Sequence, residues 1–260
     1  MEYIIIKLYV LLIGLIIGSF LNVCIYRIPN NESISMPPSH CMSCKSRLRW
    51  RDLVPVLSYL STGGKCRYCG QKVSSRYALV ELMTGVLFLA VFDLYGISIK
   101  TVYYSVFISI LVTITFIDID HYIIPDKILI FGLLFSLIFN ILFKEVKIKQ
   151  SILGLILSGG GMWIIISIIE LIVKKECMGG GDIKLFGVVG FFLGLKGGLL
   201  TIILSIYVGA FYGLIIIIYS KIKGKELSSV IPYGPFISVA SIISIFFGDS
   251  IINYYLYLIG

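Results

Sequence analysis

The stretch "TVYYSVFISILVTITFIDIDHYIIPDK", residues 101–127, decides the fold. Up to Ile117 it carries no charged residue, and at about 1.5 Å per helical residue it crosses most of a bilayer core of about 30 Å. Asp118, Asp120, His121 and Asp126 then follow in close succession. Ionisable groups at membrane depth are costly, so acids at the end of such a run are functional candidates by default.

The rest of the chain agrees with a membrane reading. Of 260 residues, 58% are hydrophobic and only 14% are charged, which excludes a soluble domain with a polar surface. Apolar runs fall at 4–23, 78–95, 101–117, 128–143, 151–173, 184–195, 199–219 and about 231–258. These predict an all-α polytopic membrane protein of about eight transmembrane helices. The sixth run is short for a full crossing. The first run reads as a retained span, because its apolar core is long and no small-x-small cleavage site follows it. We divide the chain into a first span (1–23), a cytoplasmic loop (24–77) and a transmembrane core (78–260).

The net charge of +8 does not require nucleic acid. Arg27, Lys45, Arg47, Arg49, Arg51, Lys65, Arg67, Lys72 and Arg76 gather in one polar loop, against Glu32 and Asp52 alone. Membrane proteins collect Lys and Arg on the cytoplasmic side for topological reasons. With that loop inside and eight crossings, intervals 118–127, 174–184 and 221–225 also face the cytoplasm. Lys144, Lys147 and Lys149 fall on the other face.

Within this loop "CMSC" (Cys41, Cys44) and "CRYC" (Cys66, Cys69) form two CxxC pairs, the pattern of a tetrahedral four-thiolate zinc site. A redox couple is the alternative, although a reducing cytosol disfavours disulfides. Zinc held by four thiolates is structural, since no coordination position stays open. His40 reads as a solvated loop residue, and Cys24 and Cys177 as small buried side chains.

Local roles exist for each acid. Asp126 after Pro125, and Asp182 after Gly179, Gly180 and Gly181, are both placed as helix N-caps, while Asp120 and His121 fit a solvated turn. These roles leave a pairing unexplained, because Asp118 and Asp182 end and begin spans at similar depth on the same side. Two carboxylates in one site do not both ionise cheaply, so they share a proton. The ionised member then activates water while the protonated one polarises a carbonyl, which is the chemistry of amide hydrolysis. Glycine beside such a pair lets an extended peptide approach closely. A proton-coupled transporter using the same two acids is the rival reading, although transporters usually show paired repeats and none is evident. A lipid-handling transferase would need an acid cluster for a diphosphate, and no such spacing stands out.

At these residues the sequence resembles the bacterial type IV prepilin peptidases, membrane aspartyl peptidases of the GxGD type. The matching segments are "GSFLNVCIYRIP" (18–29), both CxxC pairs, "SSRYALVELMTGVLF" (74–88), "FIDIDHYIIPD" (116–126) and "GGGDIKL" (179–185). The resemblance implies Asp118, seven residues before Pro125, and Asp182 of Gly179-Gly180-Gly181-Asp182 as the catalytic acids. It implies cleavage of the basic leader of type IV prepilin or pseudopilin precursors, at the cytoplasmic face of the bacterial inner membrane. It also implies N-methylation of the new terminus with S-adenosylmethionine, associated with loop 24–77. No glycine-rich turn of the soluble methyltransferase kind is present to show that second activity independently.

Overall fold

Lipid tails are as apolar as leucine, so helices in a bilayer associate through close packing of small residues rather than through burial of apolar surface. The computed structural model describes residues 2–223 and 231–259. It contains two compact units, one within Met1–Thr113 and one within Ile114–Gly260.

In the first unit α1 (Glu2–Arg27) packs on α3 (Ser75–Tyr95). The contact is made by glycines one turn apart. A Cβ on Gly18 would stand 2.7 Å from the Glu81 Cα, and one on Gly14 would stand 2.8 Å from the Gly85 Cα. The Lys7–Asp93 ion pair at 2.7 Å and an Asn22 side-chain bond to the Tyr77 carbonyl at 3.0 Å fix the register. Between these helices lies the cysteine-bearing loop, with a 3₁₀ turn at Trp50–Asp52 and the short α2 (Leu57–Ser61).

α4 (Ile99–His121) starts in the first unit and ends in the second. The second unit continues with α5 (Asp126–Phe143), α6 (Ile148–Gly154), a π-helical stretch (Leu155–Gly160), α7 (Gly161–Val173), α8 (Gly180–Lys223) and α9 (Gly234–Ile259). Gly154 lies directly against the Gly190 carbonyl, and a Cβ on Gly159 would stand 2.9 Å from the Gly187 Cα. Only glycine backbones approach so closely, so this contact sets how the π-helical stretch and α8 meet.

α8 is two segments. Gly194 has φ 71° and ψ −177°, a region essentially closed to residues with a Cβ. A Cβ on Gly198 would lie 2.8 Å from the Gly190 Cα, whereas eight residues of straight helix would separate the two by about 12 Å. The chain therefore doubles back at Gly194. Among the described residues, seven helices are long and apolar enough to cross a membrane, and this fold in α8 supplies the eighth apolar segment. Its first arm begins at Gly180, not at 184.

α9 begins at Gly234 rather than 231, because Pro232 and Pro235 deny backbone donors and restrict the residues before them. Lys221 and Lys223 end α8, and Lys225 lies outside the described residues.

The outer surface is apolar, unlike that of a water-soluble fold, and the interior holds small hydroxyls beside large side chains such as Phe107 and Phe192. Ile4, Leu8 and Leu12 of α1, Phe131 and Leu134 of α5, and Phe211 and Leu214 of α8 are exposed. Ser136, Ser158, Thr201, Ser205 and Ser241 are fully buried. Large apolar side chains thus face lipid, while inside Thr201, Ser205 and Ser241 donate to helix carbonyls and Ser136 pairs with Asn140.

Candidate active site

Asp118 sits in the last turn of α4 and is only 5% exposed. Its Oδ2 accepts the Gly234 N–H at 2.8 Å, a bond that joins the end of α4 to the start of α9. A Cβ at Gly234 would stand 2.8 Å from that oxygen, so only glycine brings the backbone donor this near. In the "PYGP" stretch that leads into α9, Pro232 and Pro235 lack backbone donors and have fixed φ angles, and the Gly234 N–H between them is left to the carboxylate.

Asp182 lies in the first turn of α8 and is half-buried. Its N–H donates to the Gly179 carbonyl at 3.0 Å, closing the glycine turn. A Cβ on Gly179 would stand 3.1 Å from Asp182 Oδ2, and one on Gly181 would stand 3.0 Å from the Ile124 Cβ. Gly180 faces open space and is exposed. Asp118 and Asp182 are within electrostatic range of each other, and Tyr233 is within range of Asp182. The Tyr233 hydroxyl bonds Ser205 Oγ at 3.3 Å and its ring meets Phe186 with centroids 6.4 Å apart. The loop at 232–236 thus touches the surroundings of both acids.

The other acids separate from this pair. Asp120 and His121 are exposed at the end of α4. Asp126 is not an N-cap: Pro125 holds that position with no side-chain bond, and Asp126 is the first helical residue. Its carboxylate pairs instead with Lys184 at 2.8 Å, both groups being well exposed. Asp182 is not an N-cap either, since α8 already begins at Gly180. Pro125, half-buried with φ −67°, fixes where α5 starts.

Cys41, Cys44, Cys66 and Cys69 converge, with all four sulfurs within 4.8 Å of one another. Two similar hairpin turns hold them. The Cys41 N–H bonds the Ser46 carbonyl at 3.0 Å and the Cys66 N–H bonds the Gln71 carbonyl at 2.8 Å. Positive φ at Lys45 (57°) and Gly70 (72°), each just after a second cysteine, turns the chain. The neighbouring Ser46 side chain holds the Cys44 thiol down to about 6, so it ionises readily at neutral pH. Such a cluster suits a metal. His40 is outside it, its Nδ1 bonding the Pro38 carbonyl at 3.0 Å. Cys24 is buried, as expected, but Cys177 is exposed because it lies in the short connection between α7 and α8.

Residues 12–95 match the model of the bacterial peptidase A24 N-terminal domain, and residues 105–214 match that of the type IV leader peptidase family. Among relatives, the prepilin leader peptidase/N-methyltransferase of Legionella pneumophila is 34% identical over 94% of this chain and 92% of its own. That of Bacillus subtilis (strain 168) is 35% identical over 94% and 95%, and that of Pseudomonas putida is 30% identical over 95% and 93%. No solved structure matches. The two family matches fall on the cysteine-bearing unit and on the segment carrying both Asp118 and Asp182, and relatives align along almost the whole length: the chain belongs to the type IV leader peptidase family.

Proposed function

We propose that this protein cleaves the basic leader from type IV prepilin or pseudopilin precursors and N-methylates the residue thereby exposed. The observation that carries the peptidase reading is a buried Asp118, fixed by the Gly234 N–H, within electrostatic range of the Asp182 that follows three glycines. One carboxylate of the pair takes a proton from water as that water attacks the scissile carbonyl. The other, protonated, donates a hydrogen bond to the carbonyl oxygen, and the leaving amine then receives a proton from the pair. The pair acts as one titrating unit, so acid and base roles belong to it jointly. Open space at Gly180 leaves room for an extended substrate.

The site faces the cytoplasm of a bacterial cell membrane, a reading supported by the basic loop and by family membership. Residues 78–260 form the peptidase core, and residues 24–77 are the methyltransferase-associated region. Cys41, Cys44, Cys66 and Cys69 hold a structural zinc: four Zn–S bonds of about 2.3 Å place sulfurs about 3.8 Å apart in a tetrahedron, and the separations here, all within 4.8 Å, suit it. S-Adenosylmethionine supplies the methyl group.

The test is the N-terminal mass of a coexpressed prepilin, which reads cleavage and methylation together. Asp118→Asn and Asp182→Asn should each abolish cleavage while leaving the protein folded. Full cleavage by either variant overturns the assignment.

A further inference from the structure

Inside the first unit, between α1, the cysteine-bearing loop and α3, lies a cavity of about 420 Å³. That is within the range of about 300–1,000 Å³ typical of small-molecule sites. Its wall includes Glu81 of α3, 8% exposed, whose Oε2 accepts the Val56 N–H at 2.7 Å and whose carboxylate also bonds the Ser19 hydroxyl. Both partners are neutral. A buried carboxylate without a cation is costly, and it is the more telling because Asp52, on the same cavity, has Arg67 at 3.0 Å. Val56, the β-branched residue that donates to Glu81, sits at φ 61°, a conformation that residues with a branched Cβ rarely adopt.

We infer that this cavity is the binding site for the methyl donor, with Glu81 as counter-charge to the donor's cationic methionine end. The inference rests on the methyl-transfer half of the proposed function. S-Adenosylmethionine carries a sulfonium and an ammonium that need an anion, a carboxylate that needs a cation, and a flat adenine. The cavity offers Glu81 for the first, Lys65 and Lys72 for the second, and the rings of Tyr26, Tyr59 and Tyr77 for the third. In the transfer, the lone pair of the pilin α-amine forms the new N–C bond as the S–C bond breaks. The sulfur keeps the bonding pair and becomes a neutral thioether, and the nitrogen releases one proton to solvent. Cys41 and Cys66 also line the cavity, so the cysteine cluster is part of its wall.

Two measurements on the full-length protein in nanodiscs test this. Ultraviolet cross-linking of methyl-labelled S-adenosylmethionine, followed by peptide mapping, should place the label within residues 19–81. Titration calorimetry with the same donor should show at least a tenfold loss of affinity in Glu81→Gln. It should show the same in Ala78→Phe, which fills the cavity without removing a hydrogen bond, and melting temperatures would report whether each variant folds. Label in residues 114–260, or wild-type affinity in both variants, overturns the cavity while leaving methyl transfer intact. A wild-type protein that neither binds the donor nor methylates pilin overturns the methyl-transfer reading, and the cavity assignment with it.

Discussion

The Gly234 N–H donates to Asp118 Oδ2 at 2.8 Å, joining residues 116 positions apart in the chain. This bond selects one orientation of the carboxylate that, in the proposed function, shares the activation of water with Asp182. Replacing Gly234 with Ala puts a Cβ 2.8 Å from that oxygen, so the carboxylate must swing away. Misplacement of a catalytic group by about 1 Å costs on the order of 100-fold in rate. Gly234→Ala should therefore lower kcat for leader cleavage by roughly that factor with little change in KM, and overpacking should cost about 1–3 kcal/mol of stability. Wild-type kcat in this variant would remove Gly234 from the positioning of Asp118.

The glycine contact at Gly154 and Gly190 predicts a sharp contrast between two similar substitutions. In Gly190→Ala the new methyl meets the Gly154 carbonyl, a backbone group that moves only with its helix. The cost should exceed the roughly 1–3 kcal/mol of ordinary overpacking, and both thermal stability and cleavage should fall. Gly213 lies in α8 with open space around it. Gly213→Ala should be neutral or stabilising by up to about 1 kcal/mol, through helix propensity. Equal melting temperatures for the two variants would contradict the close contact.

Much of this arrangement is legible in sequence because lipid imposes a simple rule. Uninterrupted apolar runs must be helices, and the paired CxxC spacing converges as expected. Asp118 and Asp182 stand out as acids at the ends of such runs. What escapes is long-range and backbone-mediated. The Gly234 donor lies in a stretch, "PYGPF", whose only local signal is prolines flanking a glycine, and that signal announces a turn without naming its partner. Asp126 and Asp182 show the converse error, since cap-like spacing is satisfied by shifts of a residue or two in helix start. Glu81 is invisible as a cavity residue because the loop that covers it, through Val56, is fixed by tertiary contacts rather than by periodicity.

Asp52 gives a pH prediction in the cysteine-bearing loop. Burial opposes its ionisation, but this is outweighed by the Tyr68 hydroxyl at 2.7 Å, the Arg49 N–H at 3.0 Å and the charge of Arg67, so its pKa falls below the ordinary value of 3.8. A depressed carboxylate pKa stabilises the folded loop above the unfolded value, and that contribution is lost as pH falls through the folded one. Asp52→Asn should destabilise the loop at pH 7, and the difference from wild type should shrink below about pH 4. Trp50 fluorescence in a Trp163→Phe background reads the loop directly. A difference that stays constant from pH 7 to pH 3 would mean that the Asp52 charge contributes nothing.

The cysteine cluster makes the last prediction, because its four sulfurs bring two hairpin turns together. Cys41→Ser and Cys66→Ser each leave three thiolates, and a hydroxyl is a far weaker zinc ligand than a thiolate. Both variants should lose bound zinc by elemental analysis and show a lower melting temperature. Both residues also line the 420 Å³ cavity, so the loss of metal should loosen its wall and weaken methyl-donor binding at least tenfold. Chelation of wild-type protein should reproduce both effects, and zinc should reverse them. Unaltered metal content in either variant would remove the four-cysteine site. Metal loss with donor affinity intact would show that the cluster supports the loop without shaping the cavity.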